Sequence, residues 1–342
     1  MLILGLPPGA RGGDTRRPTT HASRPRALSF DRPRHRLDGP MTSLDLPRAL
    51  TDDDCIALVS PASWSEPGHV EETRAVVESW GFQPRLGAHA QDRIGYLAGT
   101  DADRLSDLND AIRDPEVRAI VALRGGCGSQ RLLRGVDVAA LRADPKPLVG
   151  FSDITALHRV WHQQGVTSLH GAVAGAHQDN VKDLLTGGTP APVRADPHLF
   201  GADLTTRGRA SGPLFGGNLE LLARTVGVVD LDLHDHVLLL EIARSDGLGH
   251  VDRALTQLLM AGVLDGVVGV ALGRLTGFEE YVDRDWTVLD VLRDRLAVLG
   301  VPVLAGLPFG HGADPQVVPL GVPCTIDADA GVLTASAALA VS

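Results

Sequence analysis

Three residues could together perform acyl transfer: Ser152 in "KPLVGFSDITALH", Glu241 in "HVLLLEI" and His311 in "LPFGHGAD". A serine hydroxyl is a poor nucleophile until a base takes its proton. The base in turn needs a partner that fixes its tautomer and stabilises the imidazolium. Each of the three follows or ends an apolar run that reads as a strand, and in parallel α/β sheets sites gather where strands end. Plainer readings stand beside this one. Ser152 or Asp153 suits the N-cap of the helix that follows. Glu241 could be an exposed strand end, although the four apolar residues Val237 to Leu240 point to a buried backbone. A buried carboxylate needs a partner. His311 sits in a Gly-rich loop, and 13 His are present, so His158, His162, His170 and His177 compete for the base. His158 and His162 lie i, i+4 on one helix, a spacing that can grip a metal. No third ligand is evident, so neither a metal nor an organic cofactor is expected.

The stretch "RGGCGSQRLL" (124–133) is the second informative segment. Glycines after a buried strand let backbone N–H groups converge on an oxyanion or a phosphate. No GK[ST] follows, which excludes a P-loop. A tight turn is the plain alternative. A rival chemistry makes Cys127 the nucleophile at a helix N-terminus, where a thiol pKa can fall.

The elements that must position these groups alternate. "CIALVS" (55–60), "VRAIVAL" (117–123), "KPLVGF" and "VTSLHG" (166–171) read as buried strands. Helical patterns lie between them, over 101–113 with Leu105, Leu108 and Ile112 inward, and over 153–164. Residues 178–212 lose the rhythm and are rich in Pro, Gly, Thr and Arg, as a domain junction would be. Beyond Pro213, "HVLLLEI" (236–242), "GVVGVALGRL" and "VPVLAGL" are strands, with helices over "VDRALTQLLMAG" and 285–299. "VVPLGVPCTIDADAGVLTAS" alternates around Gly and Asp turns, as small antiparallel strands do. The expected fold is α/β. A flavodoxin- or Rossmann-like parallel-sheet domain (46–177) carries Ser152, and a linker (178–212) leads to a second α/β domain (213–342) with small antiparallel strands.

Composition fits. Of 342 residues 44% are hydrophobic and only 4% aromatic, as in an Ala/Val/Leu-rich α/β enzyme. The formal charge of −10 argues against nucleic-acid binding. Cys55, Cys127 and Cys324 are far apart and suit a reducing cytoplasm. No apolar run approaches the roughly 18 residues that span a bilayer. Residues 1–45 differ. They are rich in Arg and Pro, lack periodicity, and carry about +5 over the first forty, leaving about −15 for the rest. Arg16-Arg17 has no apolar run after it, so an export signal is not indicated. The segment is expected to be a disordered basic tail.

Seven stretches in order resemble one family: "IALVSPAS", "RGGCGSQRLL", "KPLVGFSDITALH", "LHGAV", "LFGGNLELL", "LLLEI…VDRALTQLLMAG" and "PFGHG…VVPLG". They are similar to the LD-carboxypeptidases of serine peptidase family S66, over about residues 48–337. The resemblance implies a triad of Ser152, Glu241 and His311, with the site in a cleft between two domains. It implies an oxyanion hole from the backbone N–H groups of Gly126 and Asp153. It also implies a cytoplasmic homodimer that removes the terminal D-alanine from murein tetrapeptide during cell-wall recycling. Arg124 and Arg131 suit a substrate carboxylate, and equally a surface or interface ion pair. Two departures stand out: Cys127 replaces the Tyr usual in the family's R-G-G-Y-G turn, and Ile242 follows Glu241 where the family has Asp. A second branch of the family cleaves a microcin-type peptidyl-nucleotide and confers immunity; "RGGCGSQR" is closer to the murein branch. A module that binds a nucleotide or peptide without turnover is a further alternative. Since the tail has no counterpart in the resemblance, a chain lacking residues 1–40 should fold and turn over like the full chain, compared by circular dichroism and kcat/KM. Loss of either would show the tail to be part of the working enzyme.

Overall fold

A computed structural model describes Leu44 and residues 46–173, 178–312 and 314–341. The rest of the basic tail and His177 lie outside the described residues.

The first half builds one sheet. Strands β1 (Cys55–Val59), β2 (Gln83–Leu86), β3 (Val117–Ala122), β4 (Leu148–Gly150) and β5 (Ser168–His170) are parallel, in the order 5-4-3-1-2. Helices α1 (Pro67–Ser79), α2 (Asp101–Arg113), α3 (Val138–Ala143) and α4 (Thr155–Gln163) connect them. The alternation along β1 shows why the sheet is covered on both sides. Ile56 and Leu58 join a core with Val70, Val77 and Trp80 of α1 and its end. Cys55, Ala57 and Val59 join another with Leu108 and Ile112 of α2 and Trp161 of α4. Thr100 caps α2 through a reciprocal bond pair with Asp103.

Residues 178–212 hold α5 (Gln178–Leu185), the short β6 (Val193–Arg194) and a 3-10 turn. The second sheet follows. Strands β7 (Arg209–Asn218), β8 (Val237–Ala243), β9 (Gly269–Thr276) and β10 (Val303–Leu304) run parallel. Helices α6 (Leu219–Arg224), α7 (Leu248–Met260) and α8 (Val288–Ala297) lie between them. The last strands, β12 (Pro323–Asp327) and β13 (Val332–Ala335), add antiparallel to β7 and to β6. The intervening strand β11 (Val318–Leu320) leaves this sheet and pairs antiparallel with β5 of the first.

Strand β7 was not legible in the pattern. "RASGPLFGGN" carries three glycines and a proline, so it lacks a strand signature. Packing supplies the reason. A Cβ on Gly216 would collide with the Leu239 carbonyl, and one on Gly217 would lie 2.6 Å from Thr155 Oγ1. The glycines let β7 approach both β8 and the start of α4.

Trp161 is fully buried on α4, and its indole N–H donates to the Lys146 carbonyl at 2.8 Å. Lys146 is itself buried and pairs with Asp144 at 3.0 Å. Trp161→Ala should therefore cost about 3–5 kcal/mol of stability, measured by urea unfolding. A loss below about 1 kcal/mol would mean that this core collapses around the gap.

Candidate active site

Ser152 stands on a sharp turn between β4 and α4. Phe151 is extended, Ser152 is left-handed at φ 62°, and the Ile154 N–H closes the turn on the Phe151 carbonyl at 3.2 Å. A non-glycine residue in that region costs about 1–2 kcal/mol, so its surroundings must hold it there. They do so from three sides. A Cβ on Gly125 would lie 2.9 Å from Ser152 Cβ, which shows how closely the Gly-rich turn abuts it. The Asp153 carboxylate accepts from the Ser129 N–H at 2.8 Å, and the Ser129 hydroxyl donates to the Asp153 carbonyl at 2.6 Å. From below, buried His158 donates through Nε2 to the Gly150 carbonyl at 2.8 Å. Neither Ser152 nor Asp153 caps α4 with its side chain; the N-cap position is Ile154. The capping alternative is therefore replaced by a hydroxyl free to face elsewhere.

It faces His311, with Ser152 Oγ 3.0 Å from His311 Nε2. His311 Nδ1 lies 2.8 Å from Glu241 Oε2. Because a carboxylate only accepts, Nδ1 carries the proton, and Nε2 offers its lone pair to the serine. Gly310, at φ 95°, flanks the histidine, and a Cβ there would lie 2.6 Å from Glu241 Cβ. Glycine is what allows the loop to bring His311 onto the carboxylate. The Thr276 hydroxyl donates to the His311 carbonyl and fixes that loop to the end of β9.

Glu241 does not end its strand, as the pattern suggested. It sits two residues inside β8, at a break in register between Leu240 and Ile242. The extra residue lies on β9, since Leu240 pairs with Leu272 and Ile242 with Leu275, so Glu241 stands alone opposite Gly273 and Arg274. The carboxylate is fully buried, whereas the His311 side chain is 29% exposed, so the charge is sealed while the imidazole stays accessible. Burial pushes the Glu241 pKa up, but the bond and charge of His311, the charge of His170 and the Asn218 amide together hold it below the ordinary value. Burial pulls His311 down, and the Glu241 bond and charge outweigh it, so its pKa is raised.

Asn218 was missed in the sequence. Its Nδ2 donates to Glu241 Oε1 at 2.9 Å, its Oδ1 accepts from the Leu221 N–H to cap α6, and its own N–H donates to Thr155 Oγ1 at 3.0 Å. The available signal was an Asn directly before the helix "LELLAR", which reads as a cap and nothing more. Thr155 belongs to the helix that follows Ser152, so this one residue ties the two halves of the site together.

The other candidates distribute differently. The Gly125–Gly126 backbone adjoins Asp153: a Cβ on Gly125 would lie 3.3 Å from the Asp153 nitrogen. The Cys127 N–H donates to Ser63 Oγ at 3.1 Å, and burial and nearby Asp153 push the thiol pKa up, away from what a thiolate nucleophile needs. Arg131 binds Asp101 at 2.9 Å. Arg124 donates to the Trp64 carbonyl at 2.9 Å. His158, His162 and His170 are buried with pKa values pulled down to about 3, 3 and 4 by burial, so they stay neutral and inside. Among the described residues, His89, Asp92 and Asp103 bring three potential ligand atoms within 4.8 Å of one another, on the outer surface.

This geometry can hold a hydroxyl, deprotonate it and steady the resulting imidazolium, which is the chemistry of acyl transfer. Family models agree: the LD-carboxypeptidase N-terminal domain matches residues 56–171 and its C-terminal domain residues 211–326. The chain belongs to the LD-carboxypeptidase family. Within that family it is a serine-type carboxypeptidase, a hydrolase of peptide bonds. A Streptomyces coelicolor protein is 39% identical over 306 residues, covering 86% of this chain and 97% of its own. The murein tetrapeptide carboxypeptidase of Pseudomonas aeruginosa is 32% identical over 297 residues, covering 80% of this chain and 94% of its own. The fold is shared with a microcin C7 self-immunity protein at a TM-score of 0.74 and 22% identity, over 85% of this chain and 98% of that one.

A base that must be neutral predicts a pH limb. For this LD-carboxypeptidase, kcat/KM should rise with pH through a pKa above the ordinary histidine value. In Glu241→Gln the carboxylate that favours the imidazolium is gone, so the limb should move to lower pH while the rate falls by up to about 10⁴. An unmoved limb in pH–rate profiles would show that Glu241 does not tune His311.

Proposed function

We propose that the protein removes the terminal D-alanine from murein tetrapeptide through an acyl-enzyme on Ser152. The hydrogen-bonded chain from Ser152 through His311 to sealed Glu241 carries the reading. Its kinship with a protein named for murein tetrapeptide, at 32% identity, supports the substrate. His311 takes the Ser152 proton as Oγ attacks the scissile carbonyl. The N–H groups of Gly126 and Asp153 receive the oxyanion, and each such donor is worth about 10²–10³ in rate. His311 then protonates the leaving D-alanine nitrogen, and water, activated by the same base, releases the shortened peptide. Glu241 holds the tautomer and balances the imidazolium. The same reading sets the reaction in the cytoplasm as part of cell-wall recycling, where three free cysteines are chemically at home. Among the described residues no helix is long and apolar enough to cross a membrane.

The shared fold with a microcin immunity protein supplies the comparison substrate. Murein tetrapeptide and an aminoacyl-adenylate analogue should be incubated in parallel with the wild type, Ser152→Ala and Cys127→Ala. D-alanine release is expected from the wild type and from Cys127→Ala, with Ser152→Ala down by at least about 10³. An active Ser152→Ala beside a dead Cys127→Ala would reverse the mechanism. Cleavage of the adenylate alone would move the enzyme to the immunity branch.

A further inference from the structure

A carboxypeptidase must recognise a chain end. The free carboxylate lies one residue beyond the scissile carbonyl, within about 4 Å of it along the chain. A positively charged group is therefore expected beside the turn that abuts the nucleophile. Four arginines on or near that turn divide into two sets. Arg104 lies against Gly128, donates to the Pro61 carbonyl and pairs with Asp101 at 2.6 Å; Arg131 pairs with the same carboxylate. Arg93 and Arg124 have no carboxylate within ion-pair distance among the described residues. Both instead converge on the ring of Trp64, Arg93 at 3.6 Å and Arg124 at 5.8 Å from its centroid.

The array is built rather than incidental. The Trp64 indole N–H donates to the Gly95 carbonyl at 3.1 Å, and Arg124 donates to the Trp64 carbonyl at 2.9 Å. Ser63, next to Trp64, donates its N–H to the Gly125 carbonyl at 3.2 Å and accepts from the Cys127 N–H. Trp64 is thus clamped to the Gly-rich turn, and that turn is clamped to Ser152. The Arg93 guanidinium on the ring keeps its in-plane N–H fork for a carboxylate, and Arg124 keeps the N–H groups not given to the Trp64 carbonyl. Arg93 and Arg124 thus bring two positive charges to one ring, where an acidic peptide end can dock.

We propose that Arg93 and Arg124, held on Trp64, form the subsite that reads the substrate's C-terminal carboxylate and so makes the enzyme an exopeptidase. The inference rests on the serine carboxypeptidase reading and names what that site selects.

The test pairs an L,D-linked peptide ending in D-alanine with its C-terminal carboxamide. The wild type should prefer the free acid. Arg93→Ala and Arg124→Ala should each raise KM for the acid by about tenfold or more, leave kcat near the wild-type value and leave the amide unchanged. Arg124→Lys should recover part of the loss. Unchanged acid preference in both alanine variants would overturn the proposal. Calorimetry on Ser152→Ala protein asks the same question without turnover. The acid should bind more tightly than the amide, and the difference should vanish when both arginines are replaced. Equal binding of acid and amide to Ser152→Ala would overturn the subsite. A retained binding difference, with no D-alanine release by the wild type, would uphold the subsite and refute the catalytic reading.

Discussion

The site depends on keeping one charge out of water. Glu241 is fully buried, and an uncompensated carboxylate there would cost several kcal/mol. It is stable because the Asn218 amide satisfies one oxygen and His311 the other. The requirement propagates outward. The carboxylate needs Asn218 at the end of β7, His311 needs a glycine beside it to come close enough, and the β8–β9 register shifts at Glu241. These three features converge on that one group.

Ser152 is held by a second constraint of a different kind. The left-handed backbone at Ser152 is locally unfavourable, and it persists because neighbours over-determine it. Gly125 packs on it, Ser129 grips Asp153, and His158 grips Gly150. A strained strand-to-helix turn is also the setting in which α/β-hydrolases present a nucleophilic serine. The two constraints meet at Thr155, whose hydroxyl accepts from the Asn218 N–H. One contact therefore sets the helix behind the serine against the strand beside the carboxylate. Nearby, Arg159 reaches Thr225 and His162 stacks on Phe215 at 4.1 Å, which widens the seam into a packed interface.

Much of this was readable in one dimension. Buried strands of the first sheet stand out as apolar runs, and a reactive residue just after such a run is already a candidate. Other parts gave no such sign. β7 is central to the second sheet yet rich in glycine, because it must pass close to its neighbours, and close approach removes the side chains that mark a strand. β11 sits among antiparallel strands in the chain but joins the first sheet. Asn218 looks like an ordinary helix cap because it is one, and its second bond, to Glu241, involves a residue 23 positions away. The same holds for Arg93 and Arg124, 31 positions apart and brought to one ring only by the loop that carries Trp64.

By itself the sequence determined the α/β class, the position of the serine after a buried strand, and the residue types able to carry acyl transfer. These follow from local periodicity and side-chain chemistry, which act over a few residues. Only the tertiary structure decided which of the many histidines lies between Ser152 and Glu241. His158, His162 and His170 are sealed and neutral, whereas His311 alone bridges Ser152 and Glu241 among the described residues. It also decided that Ser152 does not cap the helix after it and that the Cys127 N–H is given to Ser63 Oγ. Those outcomes depend on desolvation and on distances between segments far apart in the chain, quantities that exist only once the chain has folded.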